Sequence, residues 1–201
     1  MATERPGDDL DAMFDATWEL LVQGAADRRA ALHLPVVVSI GPDGPDARVM
    51  VLRGVDRARH SLRFHTDRRA MKAAHIAIDP RVGIVGYDAD ARLQLRLHGV
   101  AVVHSGAEVA AYWATTETFG RRAYRTTLPP GSPLAAPGSG LPPEFERVAA
   151  GDPLSEAGRD NFAVLEVALD RIEWLLLAHS GHRRAVHCRT GDDWHGEWRV
   201  P

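Results

Sequence analysis

The sequence predicts a mainly β protein, a β-barrel with flanking helices. Three observations carry that expectation. Many short β-patterned segments follow one another at close spacing, turn-forming residues punctuate them, and helical spacing is confined to a few stretches. The 201 residues are enough for one well-filled core, and the chain is read as a single domain, residues 1–201.

The elements follow in order. Asp8 and Asp9 precede an apolar series at Leu10, Met13, Phe14, Thr17, Leu20 and Leu21, which predicts a capped amphipathic helix over about 9–29. Leu34–Ile40 is β-branched and apolar, Gly41-Pro42-Asp43-Gly44 is turn chemistry, and Arg48–Val55 completes a hairpin. Ser61–Thr66 alternates as a third strand. Arg69–Ile78 reads as a short helix stopped by Asp79-Pro80. Arg81–Tyr87 and Arg92–His104 are further strands, and Gly106–Ala114 returns to helical spacing. A loop rich in proline, glycine and serine spans about 127–143. Four β segments close the chain: Phe162–Leu169, Ile172–Ala178, Arg184–Cys188 and Trp194–Val200.

Composition removes several classes of function. A net charge of −3 argues against a nucleic-acid surface. No apolar run approaches a membrane span, the first residues lack the basic and apolar parts of a secretory leader, and Cys188 is the sole cysteine. A cytoplasmic location is expected. His179, His182, His187 and His195 crowd the tail without metal-ligand spacing, so no metal is expected. Ser139 and Ser180 lack the surroundings of a nucleophile. Cys188, Trp194 and Trp198 read as packing residues.

The basic residues are more telling. Lys72 is the only lysine, in a chain that otherwise uses arginine. An ammonium is a compact point charge where a guanidinium is a wide fork, so the exception suggests a small oxygen-rich pocket. Thr66 closes a strand six residues earlier, and Lys72 falls in the first turn of the next helix. A hydroxyl, exposed helix N–H groups and an ammonium are what an oxyanion site needs.

Four pieces occur in order: Arg48-Val49-Met50-Val51-Leu52-Arg53, Phe64-His65-Thr66 through Lys72, Leu93-Gln94-Leu95-Arg96-Leu97-His98-Gly99, and Trp174 spaced ten residues before Arg184. Together they resemble the pyridoxamine 5′-phosphate oxidase family of FMN-binding split β-barrels. The resemblance implies FMN at a homodimer interface. Arg48, Arg53, His65, Thr66 and Lys72 would lie toward the cofactor, with Arg48 and Lys72 neutralising its phosphate. The backbone of Val51 and Leu52 would pass the ring, Gln94 would meet its polar edge, and Trp174 and Arg184 would complete the site. Tyr112 and His182 match positions of the substrate pocket. No catalytic acid or base is identified.

The departures are equally specific. Ala70 and Met71 replace a serine and an arginine that contact the phosphate in the family, leaving Arg68 or Arg69 to compensate. On the substrate side the family's lysine is Arg53, its arginine Thr116, its serine Gly120 and a second arginine Ser180. Oxidation of a vitamin B6 phosphate is therefore disfavoured, and a less anionic small-molecule substrate is expected. The implied activity is an FMN-dependent oxidoreductase passing a hydride or electrons between flavin and a small molecule or nicotinamide. Alternatives are a flavin carrier or sensor, or a relative that binds heme or a deazaflavin.

Overall fold

The computed structural model describes residues 9–145 and 153–201. Helix α1 (Leu10–Ala26) begins where expected: Asp9 accepts hydrogen bonds from the backbone of Asp11 and Ala12 at 2.9 and 3.0 Å. It stops three residues short of the expected end. Its apolar stripe buries Trp18 and Leu21 against the sheet. Side chains of that size each contribute about 2–3 kcal/mol of hydrophobic free energy when fully buried.

Among the described residues, nine strands form one antiparallel sheet: β1 (Val36–Gly41), β2 (Gly44–Val49), β3 (Leu52–Asp56), β4 (Ser61–Asp67), β5 (Arg81–Asp88), β6 (Leu93–Ser105), β7 (Phe162–Leu176), β8 (Arg183–Thr190) and β9 (Asp193–Arg199). The order is β2-β1-β5-β6-β7-β4-β3, with β8 on the second half of β7 and β9 beyond it. Leu52, Leu62, Phe64, Leu95, Leu97 and Leu165 line the interior.

Two strand expectations are corrected. Arg48–Val55 is not one strand. The chain leaves β1 at Met50, whose N–H donates to Pro35 O at 3.0 Å, and resumes at Leu52 against β4. Changing partners requires a joint, and Met50-Val51 is that joint. Conversely, Phe162–Leu169 and Ile172–Ala178 are one strand, β7. Opposite β7, His98 pairs with Arg171 and Gly99 with Leu169, so Asp170 is an extra residue. One extra residue reverses the period-2 phase. Leu165, Val167 and Leu169 face the core before it, Ile172 and Trp174 after it. A continuous strand therefore reads as two. Gly99 makes the bulge possible, because a Cβ there would collide with the Ala168 carbonyl.

The remaining elements agree with expectation in place and differ in detail. Helix α2 (Met71–Ile78) follows β4 and ends before Pro80. The helical stretch after β6 opens as a 3₁₀ turn, Gly106–Val109, and becomes α3 (Ala110–Thr115). A short α4 (Thr118–Arg121) was not anticipated. The proline-rich loop carries no helix or strand until a 3₁₀ turn at Pro143–Phe145. On the outer face of the first half of β7, Phe162 and Val164 pack with Val109, Trp113 and Tyr124 as a second core. Among the described residues no helix is long and apolar enough to cross a membrane.

Asp9→Ala removes the cap of α1 and is expected to lower stability by about 1 kcal/mol in urea unfolding, with native circular dichroism retained.

Candidate functional site

Strand β2 places Arg48 opposite Val37 of β1. Its guanidinium donates to Val37 O at 3.2 Å and to Ser39 Oγ at 2.9 Å, and pairs with the Asp46 carboxylate. Ser39 is fully buried and lies 3.5 Å from Nδ1 of His75 on α2. One turn back on α2, Lys72 donates to Thr66 Oγ1 at 3.3 Å. Burial, and then the nearby positive charge of Arg48, lower the Lys72 pKa. No carboxylate among the described residues lies within ion-pair distance of its ammonium. Ala70 caps α2 without a side-chain acceptor, so the helix start has no internal anion. Arg48, Thr66, Lys72 and the α2 N-terminus thus form a positively charged cradle.

Arg69 does not join it. Its guanidinium is committed to the buried Asp67, at 3.0 and 2.7 Å, and to Thr126 O and Oγ1, at 2.9 and 3.1 Å. Arg68 points to solvent, with its N–H on Asn161 O. The expected compensation from Arg69 is therefore absent. Val51 lies in the joint between β2 and β3, half-buried, and Leu52 is fully buried in the core.

Gln94, Trp174 and Arg184 sit elsewhere. Thr66 pairs with Ala163 near the start of β7, whereas Gln94 and Arg184 both pair with Leu175 near its end. Twelve residues of strand would span about 40 Å at 3.3 Å each. The bulge turns Trp174 inward, where it is fully buried and meets Trp198 edge-on at 5.5 Å. On the outer face, the row is Gln94, Leu175 and Arg184. Beside it, Glu173 is almost fully buried beneath Arg96, Arg171 and Arg184; Arg171 and Arg184 approach it at 3.2 and 3.0 Å. Burial alone would raise its pKa, but the hydrogen bonds from Arg96, Arg184 and Arg171 outweigh that and hold it down at about 2.

A third group lies on the outer face of β4. Arg63 and His65 point outward there, toward Tyr112 of α3. The Arg63 guanidinium sits 4.7 Å from the Tyr112 ring centroid and donates to its hydroxyl. His65 meets Phe162 edge-on at 4.9 Å. Burial first, then the charges of Arg53 and Arg63, bring the His65 pKa down to about 4, so its ring is neutral at pH 7. Arg53 is exposed on the edge strand β3. His182 is exposed in the turn after β7, at the other end of that strand from Tyr112 and its neighbours.

Residues 16–105 match the family model for the FMN-binding domain of pyridoxamine 5′-phosphate oxidase. Over that stretch, less than half of its length, the chain resembles this family. Over 91 residues it is 35% identical to a pyridoxine/pyridoxamine 5′-phosphate oxidase of Rubrobacter xylanophilus, covering 43% of this chain and 41% of that one. A Granulibacter bethesdensis oxidase is 28% identical over 122 residues, 57% of each chain. The chain thus matches between about two fifths and three fifths of the length of these curated relatives. In fold it is similar to a pyridoxamine 5′-phosphate oxidase-related, FMN-binding protein from Nostoc punctiforme, with TM-score 0.76, 22% identity and coverage of 94% and 97%. It is likewise similar to PhzG from Burkholderia lata, with TM-score 0.72, 16% identity and coverage of 100% and 99%.

Sequence reasoning missed several residues of these groups. Arg63 was visible two positions before His65 on an alternating strand, and so on the same face. Ser39, Asp46 and His75 carried no motif. Leu175 was hidden by the bulge.

Glu173→Gln is expected to cost about 3 kcal/mol at pH 7, because three arginines lose their buried counter-charge. The folded pKa of Glu173 lies below its ordinary value. Its stabilisation is therefore present above pH 4.5 and fades as pH falls toward about 2. Denaturant unfolding should show the two proteins converging on acidification; a constant gap would refute the charge role.

Proposed function

We propose that this chain binds FMN, with the phosphate in the Arg48–Thr66–Lys72 cradle, and serves as an oxidoreductase for a small molecule. The observation that carries this reading is Lys72, an ammonium drawn out of water beside a second cation; among the described residues Asp67 and Asp46 act on it only from beyond ion-pair distance. Such an arrangement is unfavourable in isolation and becomes favourable once a dianion arrives. The helix start adds N–H donors, and Thr66 orients the ammonium. These groups fit a phosphate monoester, and the resemblance of residues 16–105 to an FMN-binding domain supports FMN as its carrier.

When bound, the flavin supplies hydride or electron transfer. The chain supplies position and field. Arg48 is fixed by Ser39 and the Val37 carbonyl, so its fork is oriented before ligand arrives. His65 stays neutral at pH 7 and adds no charge of its own.

The separation of the cradle from the Gln94–Leu175–Arg184 row supports a two-copy site, in which one protomer supplies the cradle and its partner the row. Ile40, Val85, Val100 and Val102 are exposed on the outer face of β1, β5 and β6. A groove of about 530 Å³ between Val38, Ile40, Gly83 and His98 gives a partner a place to seat.

Lys72→Met should weaken FMN binding at least about tenfold, the worth of one charge-assisted contact, in a fluorescence titration. Because folding lowers the Lys72 pKa, the charged form opposes folding below that pKa. The flavin-free variant should therefore melt no lower than wild type. Unchanged FMN affinity would remove the phosphate assignment.

Val85→Glu should convert a dimer to a monomer in sedimentation and reduce FMN binding with it. A wild-type monomer that binds FMN fully would overturn the shared site.

A further inference from the structure

Asp67 sits where a carboxylate should harm the cradle. It directly follows Thr66, its side chain is almost fully buried, and its charge reaches the Lys72 ammonium. An anion at that place repels an incoming phosphate, and the low dielectric around a buried group strengthens the repulsion.

Arg69 answers this charge at its source. Its Nε and Nη2 form a fork on the two carboxylate oxygens, at 3.0 and 2.7 Å. The backbone N–H of Arg69 donates to Asp67 Oδ1 at 2.8 Å, and Ala70 N donates to Asp67 O at 3.0 Å. The turn between β4 and α2 is thus wound around one neutralised carboxylate. The far side of the guanidinium is held as well, since Nη1 donates to Thr126 O at 2.9 Å and Nη2 to Thr126 Oγ1 at 3.1 Å. Asn161 brackets the same turn: its carbonyl accepts from Arg68 N at 2.9 Å, and its Nδ2 donates to Tyr124 O at 2.8 Å.

Held on both sides, the Arg69 fork does not reach toward a ligand, so its effect on the cradle is indirect. The charged groups acting on Lys72 are Arg48 and Asp46 of β2 and Asp67 of β4. Asp46 is half-exposed and already meets Arg48, so water and that arginine weaken its field. Asp67 lacks such access to water. Among the described residues, Arg69 is its ion-pair partner.

We propose that Arg69 is a positioning residue for the phosphate site and acts through Asp67: it screens that carboxylate and so leaves the Lys72 ammonium free for a ligand anion. The inference rests on the FMN reading for the identity of the ligand, while the screen itself is a property of the chain alone.

Fluorescence titration with FMN at neutral pH tests the sign of each charge. Arg69→Met is expected to weaken binding about tenfold, through one unscreened charge nearby. Asp67→Asn breaks the same fork, yet is expected to bind at least as tightly as wild type. The double variant should return to wild-type affinity. A clasp that only shapes the turn predicts weaker binding in Asp67→Asn, and that result would overturn the proposal. So would a double variant as weak as Arg69→Met. Asp67→Asn decides the sign even where Arg69→Met does not fold.

A second readout needs no flavin. Lys72 is the only lysine, so isotope-labelled lysine gives one side-chain signal in NMR, and its titration reports the field at the ammonium. Arg69→Met should move that titration to higher pH, because an unscreened carboxylate favours the charged amine, and the double variant should move it back. An unmoved titration in folded Arg69→Met would refute the screen. If wild type takes up no FMN while the Lys72 titration follows this pattern, the screen stands and the flavin reading falls. If FMN binds and neither pattern appears, only the screen falls.

Discussion

The ladder between β6 and β7 is the constraint on which the rest depends. It is long, it runs through the core, and both strands carry other elements along their length. The first half of β7 holds β4, and through it β3, α2 and the Thr66–Lys72 junction. The second half holds β8 and the Arg184 row. Side-chain alternation along this ladder decides which residues fill the barrel and which face outward. Every candidate contact on the sheet inherits its direction from that alternation.

Charge is treated in two opposite ways on this scaffold. At Glu173, three arginines surround one buried carboxylate, and the balance is internal. Such an arrangement stabilises a particular packing and leaves little for a ligand to gain. At Lys72 the charge is met only at a distance, by Asp67 and Asp46, and at Arg48 by the half-exposed Asp46. At Arg53 and Arg63 no carboxylate among the described residues lies within ion-pair distance. Folding tolerates these deficits because each cation keeps some access to water, and an incoming anion finds donors already placed. The same element, arginine on an outward strand face, is thus structural in one location and available in another. Only the position of acidic neighbours distinguishes them.

Much of the architecture was legible because alternation and turn chemistry are local. The hairpin around Gly41–Gly44, the β4–α2 junction and the stop at Asp79-Pro80 needed no long-range information. The Arg48, Thr66 and Lys72 grouping was legible for a different reason: the residues occur in an order and spacing that resemble a family. What escaped was set by partner exchange and by phase. Met50-Val51 looks like strand interior in sequence, since nothing local reveals that β1 is exchanged there for β4. Trp174 was placed toward a cofactor because its spacing to Arg184 matched, whereas the face it occupies depends on one inserted residue upstream. Arg69 looked available until Asp67 and Thr126 were seen to hold it.

The bulge at Asp170 also governs how accurately the sheet can assemble. A uniformly alternating strand that slides by two residues keeps its apolar side chains on the correct face, so such an error is mild and easily trapped. Here a two-residue slide would move the extra residue away from Gly99, the position where the missing Cβ lets the Ala168 carbonyl approach. It would then meet Leu97 or Ala101, each of which carries a side chain. A one-residue slide is worse, since it reverses both halves of β7. The glycine and the inserted aspartate therefore act as key and lock for a single alignment, and a chain nearly complete but out of step has no comfortable place to rest.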